Sequence, residues 1–257
     1  MSSLHTFVQK KLKMVKGIII IPTYNEIENI ERLVRNVFAQ YKKFHILVVD
    51  DNSPDGTAAR VRTLQAEFRD SLFLEERMGK LGLGTAYIHG FKWALQKEYE
   101  YVFEMDADFS HNPNDLIRLY NTCKRGDADV AIGSRYITGV NVINWPMSRV
   151  LLSWLASRYV KFITGMNIHD TTAGFVCYKR EVLETIDLDS IHFVGYAFQI
   201  EMKFKAYLLN YKIKEVPVIF TDRTRGTSKM SSSIISEAIF GVIIMKIKSL
   251  FKQIKLK

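Results

Sequence analysis

The segment Met105-Asp106-Ala107-Asp108 places two carboxylates two residues apart, at the end of the strand expected over Tyr101–Met105. At the end of an extended strand, side chains two apart project to the same side, so both carboxylates face one spot. Oxygen donors with no His or Cys expected beside them suit a hard divalent cation, Mg2+ or Mn2+. An ion held in this way binds a diphosphate and neutralises it as it leaves. The plainer reading of a D-x-D pair is a capped turn, and in isolation that reading is the better one. Here other polar residues stand at the ends of neighbouring strands, which favours a ligand site.

Pro22-Thr23-Tyr24-Asn25-Glu26 leaves the first strand and Asp50-Asp51-Asn52-Ser53 leaves the second. A carboxylate at the second position can accept hydrogen bonds from a nucleobase N–H or a ribose hydroxyl, and Tyr24 offers a ring to a base. Ser53-Pro54-Asp55-Gly56 has good β-turn chemistry, and Thr23 or Asn25 suits a helix N-cap. Ser53–Gly56 is therefore assigned to a turn, and Asp50 and Glu26 to the site. Gly79–Thr85 is a glycine-rich loop before a helix, but its spacing fits neither a P-loop nor a dinucleotide fingerprint. Close packing of a turn explains it at least as well as phosphate binding. Arg149 and Ser153, four apart, share one face of a helix starting near Met147. With Arg135 they suit an anionic group such as a phosphate. Arg223–Lys229 is a basic, glycine-bearing loop after a strand, read equally well as a lid over a diphosphate or as a solvated loop.

These residues need a frame that brings strand ends together. Gly17–Ile21 is a solid apolar run, which marks a strand buried on both faces. A helix with one buried stripe follows from Glu26 to about Tyr41. The alternation continues with a strand at Ile46–Val49, a helix at Ala58–Phe68, a short strand at Leu72–Leu74 and a helix at about Thr85–Gln96. After the strand that leads into Asp106 come a helix at Leu116–Cys123 and a strand at Val130–Ile132. This order predicts an α/β, Rossmann-like fold with a mainly parallel sheet and helices on both faces. Ligands of such sheets bind beyond the C-terminal strand ends. The second half is less regular. Strands at Phe175–Tyr178 and Ile213–Phe220 flank a helix at about Ala197–Leu209, and two further apolar helices cover about Met147–Ile163 and Ser233–Leu250.

The chain has 257 residues, 47% hydrophobic and 25% charged, and no Pro-, Gly- or Ser-rich linker, which suits one domain. We divide it into an N-terminal extension (1–16), the α/β domain (17–232) and a basic amphipathic helix (233–257). The net charge is +9, but Lys246, Lys248, Lys252, Lys255 and Lys257 carry five of those charges, leaving +4 for the rest. Basic excess confined to one end suits an anionic surface rather than a nucleic acid, which we exclude as a partner. Apolar residues Ile235, Ile239, Ile243, Ile247, Leu250 and Ile254 recur at helical spacing, so this end is expected to lie on a membrane surface. Its first half, Ile234–Ile244, also suits simple packing on the domain. Cys123 and Cys177 lack metal-ligand spacing and read as reduced thiols. Neither a signal peptide nor a spanning helix is evident, so a cytoplasmic protein is expected, peripheral on the cytoplasmic face of a membrane.

The strings IPTYNE, VVDDNSPDGT, GKLGLGTAYIHG, MDADFSHNP, IGSRY, DTTAGF and DRTRGTSK, in this order, resemble polyprenol-phosphate mannose synthases of the dolichyl-phosphate mannosyltransferase type. These belong to the inverting glycosyltransferases of family 2, and the likeness runs from about Ile18 to Met230. It implies a GT-A type domain that moves mannose from GDP-mannose to a polyprenyl phosphate. By position it implies a guanosine pocket of Pro22, Tyr24, Glu26, Val48 and Asp50, and metal ligands Asp106 and Asp108 with Ala107 touching the nucleotide. Arg135, Arg149 and Ser153 correspond to the pocket for the acceptor phosphate, and Arg223 and Lys229 to the grip on the donor diphosphate. The residues implied in catalysis are Asp108, Arg135 and Arg149. Some members place a Gln two residues after the second aspartate as a further metal ligand, where this chain has Ser110. The Q-x-x-R-W motif of processive relatives is absent, which argues against polysaccharide synthesis. Two rival readings are a polyprenyl-phosphate glucose synthase using UDP-glucose and a non-catalytic nucleotide-binding subunit. The intact D-x-D pair argues against the second.

Overall fold

The computed structural model describes residues 17–41, 43–195, 197–222 and 232–251, with side chains of the last segment from 239 to 250. The expected extension 1–16, the Arg223–Lys229 loop and the lysines at 252, 255 and 257 lie outside the described residues. In chain order the strands are β1 (Gly17–Thr23), β2 (Phe44–Asp50), β3 (Leu72–Glu76), β4 (Tyr101–Glu104), β5 (Val130–Ser134), β6 (Val142–Ile143), β7 (Val176–Lys179), β8 (Ile213–Pro217) and β9 (Phe220–Thr221). The helices are α1 (Ile30–Gln40), α2 (Thr57–Gln65), α3 (Leu83–Gln96), α4 (Leu116–Lys124), α5 (Met147–Thr164), α6 (Arg180–Thr185), α7 (Ala197–Leu208) and α8 (Ser232–Phe251).

Seven strands form one sheet in the order β3-β2-β1-β4-β7-β5-β8, and β6 pairs with β9 in a small second sheet. All pairs of the main sheet are parallel except those of β7, which runs antiparallel to β4 and β5. The two layers of core follow from strand alternation. Ile18 and Ile20 of β1 face a cluster with Tyr87, Phe91 and Phe198, whereas Ile19 and Ile21 face one with Val34, Val37 and Leu119. Gly90 lets α3 approach the sheet, because a Cβ there would lie 2.6 Å from Ile20 Cγ2.

Several expected boundaries move for identifiable reasons. The first helix starts at Ile30 rather than Glu26, because the preceding amides are claimed by the turn after β2. Asn25 N donates to Ser53 Oγ, Glu26 N to Thr57 Oγ1 and Ile27 N to Asp55 Oδ2, each at 3.0 Å. The run Ile213–Phe220 divides, since Val218 N is still held by Ser134 O while Phe220 N turns to Asn141 O. The C-terminal helix buries only a narrow side. Ile239, Ile243, Ile247 and Leu250, expected to form a lipid-facing stripe, are exposed together with Phe240 and Ile244. A different side, Gly241 and Val242 with Met245 beside them, packs inward. Apolar side chains therefore surround most of this helix, and it is less amphipathic than its lysines imply. Met147, Leu151, Leu155 and Phe162 of α5 are exposed in the same way. The helices are joined where Tyr159 Oη donates to Ile239 O (2.8 Å) and Lys246 Nζ to Thr164 O (3.2 Å). No helix among the described residues is long and apolar enough to cross a membrane.

β4 ends on an ionisable residue with no solvent contact, Glu104. Glu104 Oε2 accepts from Gln199 Nε2 (2.6 Å), whose Oε1 accepts from Lys203 Nζ (3.2 Å). Lys203 also donates to Gln199 O (3.1 Å) and Ala173 O (2.6 Å), so α7, β4 and the segment before β7 are tied at one point. Burial pushes Glu104 up to about 8 and Lys203 down to about 8, while their mutual attraction opposes both shifts. Removing one partner of such a pair costs far more than the pair gains. Lys203→Met is therefore expected to lower unfolding stability by about 3–5 kcal/mol, read as a lower urea midpoint at unchanged slope. The double variant Glu104→Leu/Lys203→Met recovers part of that loss. A single-variant cost below about 1 kcal/mol, the range of an exposed pair, would show that the network does not hold the centre together.

Candidate active site

Beyond Glu104 the chain continues through Met105, whose N donates to Ile20 O, and then exposes Asp106 and Asp108 at the C-terminal edge of the parallel strands. Asp106 Oδ1 accepts from Tyr87 Oη at 3.3 Å. Asp108 Oδ1 accepts from Ser110 N at 3.1 Å across a tight turn in which Phe109 has φ 63°. Both carboxylates border one cavity of about 390 Å³, as expected from their spacing. Ala107 between them is buried in the opposite layer, so only its backbone is available to a ligand.

The expectation that no histidine stands beside the pair is corrected. His111 is buried against Phe175, and its Nδ1 accepts the Asp106 N–H at 3.0 Å. That bond uses the Nδ1 lone pair, and burial pushes the ring below its ordinary pKa, so a neutral imidazole presents Nε2–H 3.9 Å from Asp106 Oδ2. His111 therefore holds the Asp106 backbone through Nδ1, and that lone pair is not presented to the cavity. Its signal was in plain view, five residues after Asp106 in the string DADFSH. Ser110 is more telling. Its Oγ is buried on the cavity wall with no hydrogen-bond partner. Buried hydroxyls are nearly always bonded, so a ligand of the cavity is the natural partner. Two carboxylates and one hydroxyl, all oxygen donors, fit a small hard cation that takes its other ligands from phosphate and water. Among the described residues no group of three or more His, Cys, Asp or Glu forms a metal cage.

Arg135, Arg149 and Ser153 do meet at this cavity. Both arginines carry carboxylate partners that the sequence reading lacked. Arg135 is buried and clamped by Asp170, with Nε to Oδ2 at 2.7 Å and Nη2 to Oδ1 at 2.6 Å, and it also donates to Thr172 Oγ1 at 2.8 Å. Arg149 Nη1 donates to Asp222 Oδ1 at 2.8 Å, and its guanidinium lies 4.0 Å from the centre of the Trp145 ring. Asp170 stands in the string DTTAGF and Asp222 next to Arg223, but sequence alone does not pair residues 35 or 73 positions apart.

The nucleoside side is built differently from expectation. Val48 and Asp50 have no exposed surface. Asp50 instead accepts from Thr23 Oγ1 (2.7 Å), Ser53 Oγ (2.7 Å) and Ser53 N (2.8 Å), fastening the loops after β1 and β2. Pro22, Tyr24 and Glu26 are half-buried at those loops, with Lys80 Nζ 4.8 Å from the Tyr24 ring centre. In the glycine-rich loop, Leu81 N donates to Asp51 Oδ2, Gly84 N to Val194 O, and Arg77 links Asp51 to Thr85 Oγ1. A Cβ at Gly84 would lie 2.7 Å from Phe193 O. The Leu81 and Gly84 amides are thus occupied by protein, and close packing accounts for Gly84, whereas a Cβ at Gly79 would meet open space.

The far wall of the cavity is apolar. Leu152, Leu155, Ala156 and Tyr159 of α5, Ile200 of α7 and Ile239 of α8 line it, and several of the same side chains are exposed outside. One space thus joins the carboxylates to an exposed greasy surface.

The family model for "Glycosyl transferase family 2" matches residues 18–187. Over 227 residues the chain is 48% identical to the polyprenol monophosphomannose synthase of Mycolicibacterium smegmatis, covering 88% of this chain and 85% of that one. It is 44% identical over 223 residues to an undecaprenyl-phosphate mannosyltransferase of Micrococcus luteus, covering 87% and 90%. Among solved structures it resembles a Pyrobaculum calidifontis mannosyltransferase in complex with GDP-Man and Mn2+, with TM-score 0.59, 20% identity and coverage of 94% and 66%. It also resembles a Mycobacterium tuberculosis glucosyl-3-phosphoglycerate synthase in complex with Mn2+ and UDP-Glc, with TM-score 0.64, 14% identity and coverage of 92% and 82%. At those identities the two structures speak to the fold, which is that of the GT-A glycosyltransferases. The sequence matches go further: the chain belongs to glycosyltransferase family 2.

Proposed function

We propose that this glycosyltransferase moves mannose from GDP-mannose to the phosphate of a polyprenyl phosphate, with inversion and with Mg2+ or Mn2+ bound at Asp106 and Asp108. The observation that carries the reading is the cavity itself, with carboxylates and Ser110 at one end and apolar helix walls at the other. A substrate that is a phosphate at its head and a hydrocarbon behind it matches that polarity. The relatives at 44–48% identity are named for mannosyl transfer to polyprenyl phosphates.

The chemistry asks little proton transfer of the protein. The acceptor phosphate is already an anion, so it attacks the anomeric carbon from the side opposite the departing GDP and inverts that centre. A metal at the carboxylates would offset charge on the diphosphate as the glycosidic bond breaks. The chain's own work is positioning and electrostatics. Tyr87 and His111 hold Asp106, and the Asp170 clamp fixes Arg135 at the cavity. Arg149 and Ser153 receive the acceptor phosphate, with Arg149 exchanging Asp222 for it. Pro22, Tyr24 and Glu26 bound the guanosine, and Arg223 and Lys229 grip the donor diphosphate in the reading carried over from the family. The exposed apolar sides of α5 and α8 seat the protein on the cytoplasmic face of the membrane that holds the acceptor.

Asp108→Ala is expected to abolish lipid-linked mannose formation and to remove stimulation by Mg2+ or Mn2+, measured with purified protein; full activity in that variant would refute the site. Arg149→Ala is expected to lower kcat/KM for the polyprenyl phosphate by about 10–100-fold, the worth of a hydrogen bond to a charged group. The KM for GDP-mannose stays within about twofold, and an equal loss toward both substrates would move Arg149 away from the acceptor. Removal of residues 246–257 is expected to reduce flotation with anionic liposomes. Equal flotation with and without them would exclude the tail from membrane binding.

A further inference from the structure

A second, smaller cleft lies on the flank of α5, outside the transfer cavity. It has room for about 30 Å³ and is bordered by Tyr136, Trp154, Ser157, Arg158, Lys161, Ile168 and His169. Ser157 is 1% exposed, and its Oγ has no hydrogen-bond partner. Leaving a buried hydroxyl unsatisfied is costly, and a polar group entering the cleft would recover that cost. Two cations border the same opening. The Arg158 guanidinium rests 4.8 Å from the centre of the Trp154 ring, and Lys161 Nζ donates to the neutral Asn167 Oδ1 at 2.7 Å. Among the described residues no carboxylate lines the cleft. Glu215, which bonds the lining residue His169 at Nδ1 (2.8 Å), is also held by Ser134 Oγ (2.7 Å) and Asp170 N (2.9 Å).

The place of this cleft narrows what enters it. On α5, Arg158 stands three residues after Leu155 and four before Phe162, so it shares their face. Phe162 is 86% exposed and Leu155 55% exposed. A cation among outward apolar side chains sits at headgroup depth when that face lies on a bilayer. The cleft is too small for a nucleotide or sugar but admits the terminal oxygens of one phosphate. We propose that it binds a phosphate monoester, held by Arg158, Lys161 and the Ser157 hydroxyl, and supplied by an anionic lipid headgroup next to the acceptor. This rests on the membrane seating proposed above for α5 and α8.

The test uses the full chain and phosphatidylcholine vesicles containing either phosphatidic acid or phosphatidylglycerol, adjusted to equal surface charge. Vesicle binding is expected to favour phosphatidic acid by about fivefold, the worth of roughly 1 kcal/mol. Ser157→Ala, which changes no charge, and Arg158→Gln/Lys161→Gln should each erase that preference. Lys255→Gln/Lys257→Gln should weaken binding to both vesicles and keep the preference. Equal binding of the wild type to both vesicles, or an unchanged preference in Ser157→Ala, overturns the lipid site. Calorimetric titration with inorganic phosphate separates the sources. If phosphate binds the wild type but not the Ser157 and Arg158/Lys161 variants while vesicles show no preference, the phosphate site stands and its lipid source is rejected. If the wild type binds neither vesicle, the membrane seating fails, and the same titration alone decides whether the cleft takes a phosphate.

Discussion

Glu104, Gln199 and Lys203 form a chain of hydrogen bonds, two of its members ionisable and wholly removed from water, at the point where β4 gives way to Asp106. An isolated buried charge is prohibitively costly, so the three residues are stable only together. Their mutual dependence fixes more than themselves. Through Ala173 O the ammonium group also positions the segment 170–174, which supplies Asp170 to Arg135 and Thr172 and Gly174 to the cavity wall. The carboxylate end of the cavity and the arginine end are thereby set by one internal contact.

A second constraint follows the same rule at each strand end. Asp50 is consumed by Thr23 and Ser53, Asp51 by Arg77 and the glycine-rich loop, and Asp170 by Arg135. Polar residues at the rim thus divide into those that tie loops together and those that still face the cavity. Asp106, Asp108 and Ser110 belong to the second group, and the Ser110 hydroxyl lies on the cavity wall without a hydrogen-bond partner. The result is a rigid polar rim joined to a wall of α5 and α8 side chains that continues as exposed apolar surface. That polarity gradient runs in the same direction as the acceptor proposed for it.

Much of this was legible in the chain. The buried strands at Gly17–Ile21 and Ile46–Val49, and the carboxylates after Met105, could be read because hydrophobic period and residue spacing are local properties. The antiparallel direction of β7 was not, because a four-residue apolar strand reads alike in both directions. Nor were the partners of Arg135 and Arg149, since a salt bridge across 35 or 73 residues leaves no trace in spacing. Asp50 shows the opposite failure. A carboxylate at a strand end looks like a ligand until burial and three donors claim it. The outward stripe of α8 was identified at Ile239, Ile243 and Ile247, but the packing of Gly241 against Phe193 depends on a loop from elsewhere in the fold.

In the proposed reaction one cavity serves both a GDP-linked mannose and a lipid phosphate. The most direct measurement offers the purified chain a short polyprenyl phosphate, with Mg2+ or Mn2+, and either GDP-mannose or UDP-glucose, and follows sugar appearing in the lipid phase. The account predicts a mannosyl lipid from GDP-mannose that requires the phosphate on the acceptor and the divalent ion, with little or no transfer from UDP-glucose. Glucose transfer from UDP-glucose, or mannose passed equally well to a polyprenol lacking the phosphate, would contradict it.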